Sequence, residues 1–383
     1  MPENTVIEQP DQKLVAIKFR HADKLQITAV VIAIKAVVLL FAGQTYQALS
    51  DQKLVNLVDW LNIWHRWDAL HYQKLAEFGY SATGELRPSI VFYPLYPWLI
   101  RFLTFLTHDY IVSAFIISTI ASIIAAIIFY NLIRLDYSRQ TALRSVWFLV
   151  IFPTSYFLHI GYTESLFLAL GLGCIYAART NQWMLVGVLG ALACLTRANG
   201  LILVPALIVE IFQQYWTTRR WQFGWLWIAL VPLGFVIYLT INAYIAGDPV
   251  AFMLVRREVF YISSAPPWVG IMAAVGQMGN SPGQAEMLGM QEFIFIVLGL
   301  VCAVISWFKL RPVYSVWITC SWLLVVSVTF IASVPRYTLT MFPIFILFAI
   351  LAKRRVWLAV LTAWSLIYLG FFSSLFAWGH WAF

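Results

Sequence analysis

Long apolar runs, interrupted by short polar or basic stretches, repeat along this chain. A helix needs about 20 mostly apolar residues to cross the hydrocarbon core of a bilayer. Eleven runs approach that length: 25–43, 110–133, 143–160, 162–179, 183–196, 199–215, 222–245, 291–308, 313–332, 336–351 and 355–374. The pattern predicts an all-α, polytopic membrane protein of about 11 transmembrane helices. Residues 1–24 form a polar N-terminal segment, and 25–383 a single transmembrane domain.

Two longer segments, 44–109 and 246–290, separate the runs. In the first, Leu54, Leu57, Val58 and Leu61 share one helical face, and Leu70, Leu75 and Phe78 do so more loosely. That spacing predicts amphipathic juxtamembrane helices on the bilayer surface. The second segment holds Gly247-Asp248-Pro249, Pro266-Pro267 and a Gly/Ser/Pro-rich stretch, which predicts loop with short helix. The run at 90–107 carries Pro94, Pro97 and Arg101, so it is expected to lie half-buried without crossing.

Composition removes the soluble alternatives. Apolar residues make up 62% and charged residues 11%, and the mean hydropathy is +0.80. A soluble fold this size has too little interior to hide that surface. The 18 Trp and 18 Tyr suit side chains at the two membrane interfaces. Lys and Arg number 25 against 17 acids, a balance also found in nucleic-acid binders. Here the basic residues sit in short clusters between apolar runs, as orientation signals do, and no nucleic-acid partner is expected.

The positive-inside rule then sets the topology. Lys13, Lys18, Arg20 and Lys24 place the N-terminus in the cytoplasm. Alternation brings Arg134/Arg139/Arg144, Arg179, Arg219/Arg220, Lys309/Arg311 and Lys353/Arg354/Arg355 to the same side. This parity holds only if 90–107 does not cross. The first apolar run lacks a small-residue cleavage site and reads as a retained helix. Cys174, Cys194, Cys302 and Cys320 all fall in apolar runs without metal or redox spacing, as buried small hydrophobes do.

The richest stretch for chemistry is Trp64-His65-Arg66-Trp67-Asp68-Ala69-Leu70-His71-Tyr72. Asp68, His71 and Tyr72 share one helical face, and Asp68 is a candidate proton acceptor. An interfacial aromatic belt with solvated charges reads the same stretch equally simply. Tyr162-Thr163-Glu164 opens an apolar run on the outer side, where a helix N-terminus also favours an acid for structural reasons. Arg197, Arg256-Arg257 and Arg336-Tyr337 bring arginine outside, against the charge trend. An arginine fork matches phosphate oxygens, although a single outer arginine also suits a lipid headgroup. Lys35 and Glu210 are weaker candidates, packed against a neighbour or snorkelling.

WHRWDALHYQKLAEFGY, FYPLYP at 92–97, FPTSYFLHIGYTESLF at 152–167, LTRANGL at 195–201 and PRY at 335–337 occur in that order. Together they resemble the PIG-V type of mannosyltransferases and their prokaryotic relatives, over about residues 60–340; the ending Phe376-Ala377-Trp378-Gly379-His380-Trp381 is also similar. The resemblance implies a GT-C glycosyltransferase fold and a polyprenyl-phosphate sugar donor used on the non-cytoplasmic side. It implies an essential acid in the first outer loop, which falls on Asp68. The short length and the lack of a lumenal insertion imply a prokaryotic plasma-membrane relative, with an unknown acceptor and no assigned partner subunit.

The expected reaction is an inverting transfer of a hexose, mannose by resemblance. Asp68 would take the acceptor proton, while Arg336, Arg197 and Arg256 would stabilise the leaving phosphate. Trp67, His71, Tyr72, Tyr162, Glu164 and Tyr337 would line the substrate. The sequence demands no cofactor or metal, although some GT-C members use a divalent ion. The competing class is a lipid or lipid-linked-sugar transporter or flippase, whose paired halves are not visible here.

Overall fold

The computed structural model describes residues 21–279 and 289–382. Most of the N-terminal segment 1–24, including Lys13, Lys18 and Arg20, lies outside the described residues, as does 280–288 of the segment 246–290. The described chain is helical, without a strand among the described residues; one isolated antiparallel bridge joins Ser264 and Val328.

Among the described residues, six helices are long and apolar enough to cross a bilayer: His21–Ser50, Tyr110–Arg134, Ala198–Thr218, Phe223–Ala246, Gln291–Lys309 and Arg355–Trp378. They cover the expected runs at 25–43, 110–133, 199–215, 222–245, 291–308 and 355–374. The other five runs form shorter helices: Arg139–Ile151, Glu164–Arg179, Trp183–Thr196, Pro312–Val326 and Pro343–Leu351. Each falls short of the roughly 20 residues a perpendicular crossing needs. One cause is proline. Phe152 precedes Pro153 and turns extended (ψ 147°), which ends the helix before it. A second is burial. Glu164–Arg179 is covered along most of its length, packed on Tyr110–Arg134 and Trp183–Thr196. An apolar run inside protein satisfies hydropathy without facing lipid.

Small residues permit the closest packing. Tyr110–Arg134 buries Ser113, Ala114, Ser118, Ala121, Ser122 and Ala125, so neighbouring backbones approach closely.

The segment 44–109 is stitched to this core. Asn56 and Asp59 form a capping box that starts the helix Leu57–Asn62. The helix Asp68–Phe78 follows. The turn Gly84–Val91 and the helix Leu95–Thr107 meet at a 118° bend. The 13-residue helix Leu95–Thr107 is about 20 Å long. It exposes Trp98, Phe102, Phe105 and Leu106. Arg101 points the other way, its Nε donating to the Ala76 carbonyl at 2.5 Å near the C-terminus of Asp68–Phe78. Tyr96 Oη donates to the Ala114 carbonyl (3.1 Å) and lies 2.8 Å from Ser118 Oγ. Of the expected apolar faces, Leu61 and Leu75 are buried, while Leu57, Val58, Leu70 and Phe78 remain exposed.

Glu164 and Arg179 are the two ends of one helix, about 22 Å apart at 1.5 Å per residue. The far end carries its own network. Arg179 donates to Asp136 (2.8 and 2.7 Å) and to Tyr314 Oη (2.9 Å). Arg311 donates twice to Glu210, at 3.0 and 2.9 Å. Glu210 is fully buried, so it is packed rather than snorkelling. Lys35 is likewise packed, donating to the His159 carbonyl at 2.9 Å and to Thr119 Oγ1.

Candidate active site

Four charged side chains from four distant stretches meet at the Glu164 end of the bundle. Arg336 Nη1 donates to Asp68 Oδ2 at 2.5 Å. Arg336 Nε and Arg197 Nη1 both donate to Glu164 Oε1. The order Asp68–Arg336–Glu164–Arg197 alternates sign, so each charge has an opposite neighbour. Glu164 is fully buried, Arg336 keeps 3% of its side chain exposed and Asp68 28%. Asp68 is therefore the accessible end of the chain of charges.

Local backbone geometry aims each group. Asp68 is the first residue of Asp68–Phe78, after Trp67 at φ +53°. A positive φ is costly for a bulky residue, by about 1–3 kcal/mol, and is sustained only when the surroundings impose it. Trp67 is held by an edge contact with Trp381, centroids 5.1 Å apart. Arg197 is extended (φ −159°, ψ 151°) between the helix Trp183–Thr196 and the turn Ala198–Ile202. That turn folds back tightly. A Cβ on Gly200 would stand 2.5 Å from Cys194 N. Arg336 rides on the five-residue helix Val334–Thr338.

Aromatic rings pack against the arginines. The Arg336 guanidinium lies 4.9 Å from the Phe157 ring centroid and 4.7 Å from that of Tyr162. Arg197 lies 5.3 Å from the Tyr337 ring. Tyr162 Oη donates to the Arg66 carbonyl at 2.7 Å. Arg66 Nη2 in turn donates to the Ala377 carbonyl at 2.9 Å, tying the similar C-terminal motif to the loop. Buried Tyr72 places its hydroxyl 3.4 Å from Thr163 Oγ1, which also accepts from Arg197 Nη1 at 3.0 Å.

Asp68, Glu164, Arg197 and Arg336 thus converge, with Trp67, Tyr72, Tyr162 and Tyr337 around them. His71 and Arg256 do not join the ion pairs. His71 stacks on Phe92 at 4.7 Å, and its Nδ1 lies 2.9 Å from Ser89 Oγ. Burial holds its imidazole below its ordinary value, Asp68 opposes that and Lys74 adds to it. Arg256, on the helix Ala251–Phe260, has Tyr93 and Tyr238 as electrostatic neighbours. Thr163 and Phe157 were not singled out from sequence. Both sit inside the quoted 152–167 motif, but a lone threonine and phenylalanine in an apolar run carry no signal. Among the described residues, no three His, Cys, Asp or Glu gather as metal ligands.

The dolichyl-phosphate-mannose-protein mannosyltransferase family model matches residues 87–244. Glu164 and Arg197 fall in that range, Asp68 and Arg336 outside it. A GPI mannosyltransferase 2 of Schizosaccharomyces pombe is 33% identical over 144 residues, which cover 36% of this chain. The match spans 30% of that protein's length. An oligosaccharyltransferase of Archaeoglobus fulgidus superposes with a TM-score of 0.46 at 10% identity, over 94% of this chain and 55% of that one. The two sequence matches point to the family that the ordered motifs resemble, the GT-C mannosyltransferases.

Proposed function

We propose that this integral membrane protein is an inverting glycosyltransferase, moving mannose or a related hexose from a polyprenyl phosphate to an acceptor hydroxyl on the non-cytoplasmic side. One observation carries the reading: Asp68 and Arg336, 268 positions apart, form a 2.5 Å contact at one end of the bundle. A base and a phosphate-binding cation are what such a transfer needs within one site.

The geometry suggests an order of events. Arg336 holds the Asp68 carboxylate and competes for the lone pairs a base must use. A donor phosphate reaching Arg336 takes over Nη1 and releases Asp68. The acceptor oxygen then attacks the anomeric carbon, its proton passes to Asp68, and the bond to the phosphate oxygen breaks. Negative charge grows on the leaving phosphate, so arginines fixed by Glu164, Phe157 and Tyr162 stabilise the transition state more than the ground state. Glu164 keeps both arginines from collapsing onto Asp68 or repelling each other.

The test uses protein in lipid nanodiscs, polyprenyl-phosphate-mannose and a panel of glycan acceptors. Asp68→Asn should lower the transfer rate by about 10²–10⁴-fold while the protein stays folded and still binds donor. Full activity in Asp68→Asn removes the base from Asp68. Donor moved across the bilayer intact, with no polyprenyl phosphate released, makes the protein a flippase instead.

A further inference from the structure

We infer that Glu292 is a positioning residue for Arg336, an inference that rests on the reading of Arg336 as a phosphate-binding group. Glu292 is the second residue of the helix Gln291–Lys309 and is fully buried. Its carboxylate reaches the turn that carries Arg336. Oε1 accepts the Ser333 N–H at 2.6 Å and Oε2 the Val334 N–H at 2.7 Å.

That turn needs outside support. Ser333 is left-handed, at φ +69°, a conformation that non-glycine residues avoid. The helix it opens has five residues, too few to hold itself. Pro335 has no N–H, so the free donors ahead of Arg336 are those of Ser333 and Val334. Glu292 takes both. The Pro335 carbonyl accepts from Thr154 Oγ1 at 2.8 Å, fixing the next peptide group. The backbone under Arg336 is therefore held on its N–H side by Glu292 and on its C=O side by Thr154.

A carboxylate suits this task because it accepts at both oxygens and donates at neither. A glutamine of the same shape would turn an N–H toward one of the two backbone N–H groups. Release of Ser333 and Val334 lets the peptide rotate. The guanidinium lies at the end of a long side chain, so a small rotation at its base moves it by roughly 1 Å. Displacement of that size costs about a hundredfold in a positioned reaction.

The experiment is a double-mutant cycle in nanodiscs, with Glu292→Gln and Arg336→Ala alone and combined. Two readouts run in parallel: binding of polyprenyl monophosphate alone, and kcat/KM for the sugar donor. Glu292→Gln should weaken both by about 30-fold or more and leave the acceptor KM unchanged. In the Arg336→Ala background it should add less than about threefold, because the group it positions is gone. Hydrogen exchange at the Ser333 and Val334 amides should rise. Glu292→Asp, which keeps both acceptors, should recover part of the loss and serves as the readable variant if Glu292→Gln does not fold. Losses that multiply in the double variant overturn the inference, as does an acceptor KM that rises with the donor's. If the wild type transfers no sugar yet binds polyprenyl phosphate, the transferase reading fails and the binding cycle alone decides the role of Glu292. No binding by the wild type overturns both.

Discussion

Arg336→Lys isolates the value of the arginine fork, because the positive charge survives while the geometry changes. Arg336 serves Asp68 from Nη1 and Glu164 from Nε, with the Phe157 and Tyr162 rings packed against its guanidinium. A lysine has one nitrogen and must choose. Glu164 retains Arg197, so the buried acid is not stranded, and one charge-assisted hydrogen bond is lost. Such a bond contributes about 1.5–3 kcal/mol. Taking about 2 kcal/mol, and 1.36 kcal/mol per tenfold, kcat/KM for the donor should fall about 30-fold. Arg336→Met should fare worse in stability, since it leaves Asp68 and Glu164 with one cation between them, at about 3–5 kcal/mol for a broken buried pair. Initial rates with polyprenyl-phosphate-mannose measure the first effect and thermal unfolding in the same nanodiscs the second. A lysine variant within about threefold of wild type would refute the argument that both nitrogens are used.

Two further outcomes follow from the same site. Burial depresses the His71 imidazole below its ordinary 6.5, so the unfolded chain takes up the proton more readily. Stability from this group is present above about pH 6.5 and is lost as the pH falls below it. The thermal midpoint should drop on acidification, and less so in His71→Gln; equal slopes in the two proteins would count against it. Gly200→Ala should destabilise by about 1–3 kcal/mol and weaken donor binding, because its methyl would press on the Cys194 backbone at 2.5 Å and shift the Arg197 turn. Unchanged donor affinity in a folded Gly200→Ala protein would separate the turn from the site.

Much of this architecture is legible in the sequence. Hydropathy alone locates the helices Tyr110–Arg134 and Gln291–Lys309 to within a residue or two. Of the acids and arginines that the sequence singles out, Asp68, Glu164, Arg197 and Arg336 meet. What the sequence hides has physical causes. An apolar run reads alike whether it faces lipid or other helices, so buried Glu164–Arg179 and lipid-length Arg355–Trp378 look equivalent. Phe157 earns its place by lying under a guanidinium, and Glu292 by meeting two backbone groups 41 and 42 positions away. Neither relation leaves a local spacing. Arg256 shows the converse: an arginine in the right loop whose neighbours are tyrosines elsewhere.

The four-residue chain of alternating sign carries two formal negative and two formal positive charges, so it is neutral before any lipid arrives. A phosphodiester brings one negative charge, and the monoester it becomes carries up to two. In the proposed reaction the proton captured by Asp68 cancels the difference, leaving the total through bond exchange where it began. The imbalance is deferred until Asp68 gives that proton to water. At that moment a carboxylate and a spent dianion compete for the same guanidinium, and their mutual repulsion drives the lipid out toward the bilayer. Turnover should therefore track how quickly the acid at the rim of the site re-ionises.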